Sequence, residues 1–279
     1  MIRELHYRLA GAARGQVPGH HRSRSGGNGI EFRGHANLFD APDARRIDVH
    51  ASLRDPFGRW IVRLQRQRLS IPVAVVADLS ASMGVAGAQH KQGVLADLVE
   101  SLAWSAWRTG DSFGFVGCDS TVRRDLLLAQ TRTRGAGTVL AASLRALQLG
   151  GCSARGLLQA HAHLPQRRAL VFLVSDFHLP LADVAAVLAR LAHHDVLPVV
   201  LWPQAEFDLG ARRGFADVAD PESGRRQWLW WRPALRQRWQ AAAQQRRTEL
   251  LKLFRAQRLS PLFIEGAFDA DAVTRHFCA

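Results

Sequence analysis

The sequence predicts an α/β protein: a doubly wound, mostly parallel sheet with helices on both faces and an antiparallel edge strand. Three observations predict it. Continuous apolar runs of strand length, "IPVAVVA" (71–77), "ALVFLVS" (169–175) and "VLPVVLW" (196–202), read as strands buried on both faces. Stretches of helical period stand between them, as crossovers between parallel strands require. Two of the runs end in an aspartate, Asp78 and Asp176, at the carboxyl edge where open α/β sheets gather their ligands.

Residues 1–68 read as a basic N-terminal extension and edge segment, and 69–279 as the α/β domain with a C-terminal elaboration. The first 45 or so residues, with "GQVPGHHRSRSGGNG", carry little apolar periodicity and predict loops with one short strand at "GIEFRGH". The alternating segment 60–64 predicts an edge strand. After the first buried strand comes a helix over about 89–108. "DSFGFVGC" (111–118) and "TVRRDLLL" (121–128) predict a hairpin turning at Asp119 and Ser120. Helices are expected over about 137–149, 153–164 and 181–194. Residues 215–231 read as strand, turn and strand, 234–257 as a long helix, 261–265 as a strand and 269–277 as a closing helix. No internal repeat is evident.

Composition narrows the function classes. Hydrophobic residues make up 47% of the 279, enough for a buried core. No apolar run reaches the ~18 residues that cross a bilayer, and the start "MIRELHYRLAGAARGQ" lacks a secretory core, so a cytoplasmic protein without membrane insertion is expected. Cys118, Cys152 and Cys278 are too scattered for a disulfide framework or a zinc knuckle. The formal charge of +13 suits an acidic partner or nucleic acid. Its arginines are spread through every segment, however, which favours compositional bias over a phosphate-binding stripe.

The candidate site is "VVADLSAS". One aspartate after a strand is ordinarily a turn former or helix cap. Two such aspartates, one followed at alternate positions by Ser80 and Ser82, favour a hard cation held by oxygen ligands. The form D-x-S-x-S resembles the metal-ion-dependent adhesion site of von Willebrand factor A-like domains, with "SDF" at 175–177 similar to its second aspartate. The flanks resemble the DUF58 family associated with MoxR-type AAA+ ATPases, through "DAPDARRIDVHASLRDPFGRWIVRLQRQR", "HHDVLPVVLWPQAEFDL" and "DVADPESG". The resemblance runs from about Gly27 to the end.

This resemblance implies a von Willebrand factor A-like fold, a Mg²⁺ or other divalent ion, and a non-enzymatic adaptor or chaperone-like role beside a MoxR-type ATPase acting on a client enzyme. The start "GHHRSRSGGNGIEFRGH" is similar to the version found in methanol-oxidation clusters, which implies methanol dehydrogenase as client. The implied metal ligands are Asp78, Ser80, Ser82, Ser153 and Asp176. The family's threonine slot, after paired glycines, holds Cys152 in "LGGCSARGLL", and a neutral thiol is a poor ligand for Mg²⁺. Ser153 serves if the loop shifts by one residue; Thr138 lies one helix too early.

Other readings fit less well. A haloacid dehalogenase-like phosphotransfer enzyme needs a carboxylate where Ser80 stands. No histidine is placed as base for either serine, and the tight glycine elbow of a nucleophilic serine is missing. A basic nucleic-acid-binding module rests on the charge and on "HHRSRSGG" near the start. His193 and His194 are adjacent at a helix end and point apart, and Trp228 and Trp230 on one strand face are expected in the core first, with an exposed partner-binding patch as the alternative.

Overall fold

The computed structural model describes residues 4–7, 18–84, 91–203, 214–219 and 225–278. It divides into two compact units, one of residues 8–71 and one of residues 1–7 with 72–279.

In the smaller unit, β1 (Pro18–Asn37) pairs antiparallel with β2 (Ile61–Leu69), with several register shifts. The segment expected as an edge strand is thus half of a two-stranded sheet, and β1 is far longer than the short strand expected. Between them, Asp48 caps the short helix α1 (Val49–Leu53) by accepting from the Ala51 N–H at 3.1 Å. The same carboxylate accepts from Arg63 Nε at 2.7 Å and faces His35 Nε2 at 3.1 Å. These partners, Arg63 foremost, hold Asp48 well below the usual carboxylate range.

The larger unit carries a six-stranded sheet. Its strands are β3 (Pro72–Asp78), β4 (Ser112–Cys118), β5 (Leu128–Thr131), β6 (Leu170–Ser175), β7 (Asp195–Leu201) and β10 (Leu262–Ile264), in the order β10-β7-β6-β3-β4-β5. All neighbours are parallel except β5, the antiparallel edge strand. The expected hairpin therefore exists, but its second strand begins at Leu128. Residues 119–127 form a turn and a short 3-10 helix instead.

The helices are α2 (Lys91–Arg108), α3 (Ala136–Ala146), α4 (Leu181–Leu191), α5 (Pro233–Ala256) and α6 (Ala270–Cys278), with a 3-10 segment at Arg155–His163. Strand side chains alternate, so Ala74, Val76, Val171, Leu173 and Val200 meet Leu157, Val184, Leu188, Leu250 and Phe254 from the 3-10 segment, α4 and α5. On the other face α2 covers β3 and β4, and Phe172 meets Phe277 of α6 with ring centroids 6.0 Å apart. Each such buried Val, Leu or Phe contributes about 1.5–3 kcal/mol, which makes this double-sided burial the main source of stability.

A separate two-stranded sheet joins β8 (Gly214–Ala219) to β9 (Arg226–Trp231). The alternation does put Trp228 and Trp230 on one face, but both are exposed, at 72% and 53%, and not in the core. Phe215 packs against Trp230 at 4.7 Å within this hairpin. Among the described residues no helix is long and apolar enough to cross a membrane.

Candidate functional site

Parallel register sets Ala77 of β3 opposite Val174 of β6. Asp78 therefore leaves one strand beside the point where Ser175 and Asp176 leave the other. Asp78 accepts from the Ser80 backbone N–H at 2.9 Å, a local turn that reverses the chain directly after the strand. It also accepts from the Ser175 hydroxyl at 2.7 Å. Beyond the turn, the Ser80 and Ser82 hydroxyls stand 3.1 Å apart. Asp78, Ser80, Ser82 and Asp176 are all buried.

The Asp176 side is anchored by residues that sequence reasoning did not reach. Lys91, the first residue of α2, donates from Nζ to Asp176 Oδ2 at 2.9 Å and to the Ser82 carbonyl at 3.3 Å. Its side chain is only 1% exposed. The only other lysine is Lys252, among thirty-seven Lys and Arg residues, so a lysine here was the one signal available in sequence. Phe177, next to Asp176, adopts φ +53°, sparsely allowed for a bulky residue. Ser175 Oγ accepts its N–H at 2.9 Å, and Arg246 of α5 donates to its carbonyl at 2.8 Å and to that of Leu179. Trp202 Nε1 donates to the Asp176 carbonyl at 2.6 Å, while the ring of the exposed His178 stacks on Trp202.

Electrostatically the two carboxylates are unlike. Burial, followed by the charge of Asp176, pushes Asp78 up to about 6 against the hydrogen bonds of Ser80 and Ser175. Burial also acts to raise Asp176, but the Lys91 ammonium, His178 and the Ser82 hydroxyl overcome it and hold the carboxyl below its usual range.

The remaining predicted residues lie at the rim or away. Ala81 N donates to the Gly151 carbonyl at 3.3 Å, which brings the paired-glycine loop to the edge of the D-x-S-x-S turn. Gly151 has φ +108°, a conformation costly for a side-chain-bearing residue. Cys152 is exposed. Ser153 lines a neighbouring cavity of about 110 Å³ with Leu179, Pro180 and Asp183. Among the described residues no hydrogen bond joins Cys152 or Ser153 to the four site side chains. Thr138 is exposed on α3. His193 Nε2 lies 3.0 Å from the Gln166 carbonyl and His194 Nδ1 accepts from the Ala169 N–H at 3.3 Å, both structural roles.

The donors suit a hard cation. Around Mg²⁺, ligand bonds of about 2.0–2.1 Å at right angles separate neighbouring oxygens by about 2.9 Å, close to the spacing of the two serine hydroxyls. Asp78, Ser80, Ser82 and Asp176 are all oxygen donors, so they fit such an ion in kind, and the two serines also in spacing. The ammonium resting on Asp176 is the one feature that such a ligand set does not require.

A mostly parallel sheet of this order, with an antiparallel edge strand and helices on both faces, makes this a doubly wound α/β protein. Within that class the chain belongs to the family described as protein of unknown function DUF58, which it matches over residues 41–249. It is 37% identical over 101 residues to an uncharacterized protein in the moxR 3′ region of Paracoccus denitrificans, covering 36% of this chain and 96% of that protein. Among solved structures it is similar to the conserved hypothetical protein BatB from Bacteroides thetaiotaomicron, at 12% identity and TM-score 0.46, covering 75% of this chain and 96% of that one. It is also similar to the SpRpn10 VWA domain, at 12% identity and TM-score 0.41, covering 74% of this chain and 95% of that one.

Proposed function

We propose that this protein is a non-enzymatic adaptor that docks a partner through the strand-tip site and works with a MoxR-type AAA+ ATPase. The observation that carries the reading is the meeting of Asp78, Ser80, Ser82 and Asp176 at two adjacent strand tips, with the serine hydroxyls 3.1 Å apart, each hydrogen-bonded to a carboxylate, and no histidine among their described partners. That arrangement supplies ligands, not a nucleophile. The relative from the moxR 3′ region supports the choice of ATPase. A cytoplasmic location follows from a partner that consumes ATP. The client is an enzyme under maturation or assembly, and the sequence resemblance makes methanol dehydrogenase the first candidate.

Asp78, Ser80, Ser82 and Asp176 would hold Mg²⁺ or another divalent ion, with Cys152 and Ser153 at the rim. When bound, the ion supplies an open coordination position for a carboxylate of the partner. Ser175 fixes the Asp78 carboxylate, and the turn at Phe177, pinned by Arg246, fixes Asp176.

Biolayer interferometry against the purified MoxR-type ATPase, in Mg²⁺ and in EDTA, tests this reading. Asp78→Asn with Ser80→Ala is the variant of choice, because Asn keeps the size and an acceptor for Ser175 at a buried position. Wild type should lose binding in EDTA by on the order of tenfold or more, about 1.4 kcal/mol. The variant should bind weakly in both buffers. Equal binding of both forms in both buffers would move the interface elsewhere, first to the exposed aromatic face of β8 and β9.

A further inference from the structure

We infer that Lys91 is a resident cation of this site, and that a divalent ion enters only by displacing its ammonium from Asp176. The inference rests on the reading of the strand tips as a divalent-cation site and concerns how that site is regulated.

Two buried carboxylates, Asp78 and Asp176, would be costly without compensation. Lys91 provides one positive charge, 2.9 Å from Asp176 Oδ2 and hydrogen-bonded to the backbone of Ser82, one of the proposed ligands. The ammonium therefore stands on an oxygen that a metal needs and beside the turn that presents the two serines. A dication added to two carboxylates gives a neutral site, whereas a dication added with Lys91 in place leaves an excess positive charge among buried side chains. Like charges at such distances are strongly unfavourable where solvent screening is weak. Metal and ammonium thus exclude each other.

The choice of residue agrees. This chain uses arginine at almost every basic position, yet it has lysine here. A guanidinium is a broad planar fork that binds carboxylates bidentately and stays charged, whereas an ammonium is compact and sits on a flexible stem. Lysine at this position can occupy a space sized for a single ion and can also leave it. With Lys91 seated its own charge is not exposed to a partner, since the side chain is buried. Docking of an acidic residue then waits on the divalent ion, and the Lys91–Asp176 pair sets the concentration at which it arrives.

Titration calorimetry with MgCl2 on wild type, Lys91→Gln and Lys91→Met provides the test, with melting temperature followed over the same range. Gln keeps a donor for Asp176 without charge, which protects the experiment should Met fail to fold. Both variants are expected to bind Mg²⁺ at least tenfold more tightly than wild type and to gain more in melting temperature from it. Equal affinity in wild type and Lys91→Gln would overturn the competition while leaving the metal site standing. Absence of binding in every form would overturn both the competition and the metal reading. Docking of the partner is measured separately in EDTA, so its failure is distinguishable from either result.

Discussion

Cys152 occupies the slot in which the family pattern has threonine, and its thiol is exposed on a loop whose Gly151 carbonyl touches the D-x-S-x-S turn. A hydroxyl is the harder ligand, so Cys152→Thr should tighten Mg²⁺ binding by on the order of tenfold, the equivalent of about 1.4 kcal/mol. Calorimetry on the two forms checks it, and an equal or weaker affinity would mean that Cys152 has no bearing on the ion. At this scale the sequence pointed to Asp78 and Asp176 because two apolar runs end in them, and to Ser80 and Ser82 because they follow Asp78 at alternate positions. Lys91, Ser175, Trp202 and Arg246 stayed hidden for different reasons. Lys91 lies thirteen positions beyond Asp78, and its contact depends on where α2 begins. Ser175 reads as the last residue of a strand. Trp202 and Arg246 reach the Asp176 turn from other elements, and no local pattern encodes such a contact.

Among the elements, the 3-10 segment at Arg155–His163 is held against the turn after β4 at very short range. Gly156 N donates to the Asp119 carbonyl at 2.8 Å, and a Cβ at Gly156 would stand 2.3 Å from the Thr121 carbonyl oxygen. Backbone cannot yield as a side-chain tip does, so Gly156→Ala should destabilise by roughly 1–3 kcal/mol, read from urea unfolding. It should also push the Gly150–Gly151 loop away from Ala81. The elements most legible in sequence were the buried strands β3, β4, β6 and β7, whose apolar runs leave no other assignment, and the long helices between them. Residues 121–128 misled because a run ending in three leucines, Leu126 to Leu128, follows a short Asp119–Ser120 break and resembles the second strand of a hairpin. Local bonds prevail there instead: Thr121 N–H to Asp119 Oδ1 at 3.0 Å and Arg123 to both oxygens of Asp125. Such side-chain bonds compete directly with a ladder. The indoles of β9 misled for the converse reason, since their alternation gives a face but not what lies against it.

Over the whole molecule, a charge of +13 makes ionic strength a lever on association. The Debye length falls from about 8 Å at physiological salt to about 3 Å at 1 M, so the association rate with an acidic partner should drop by on the order of tenfold between these limits. Stopped-flow or interferometry across a KCl series measures it; a flat rate would assign the charge to composition alone. The larger unit is also discontinuous along the chain. Residues 4–7 belong to it, with Leu5 N–H on Ser105 Oγ at 2.8 Å, Tyr7 hydroxyl on Asp111 at 2.9 Å and His6 N–H on Thr274 Oγ1 at 3.2 Å. A ribosome makes His6 268 residues before Thr274. At about 5–20 residues per second that interval is roughly 13–54 s, during which the His6 N–H waits for its Thr274 partner. Leu5 and Tyr7 can meet Ser105 and Asp111 far sooner, 100 and 104 residues on, so one short segment closes onto this unit in two stages.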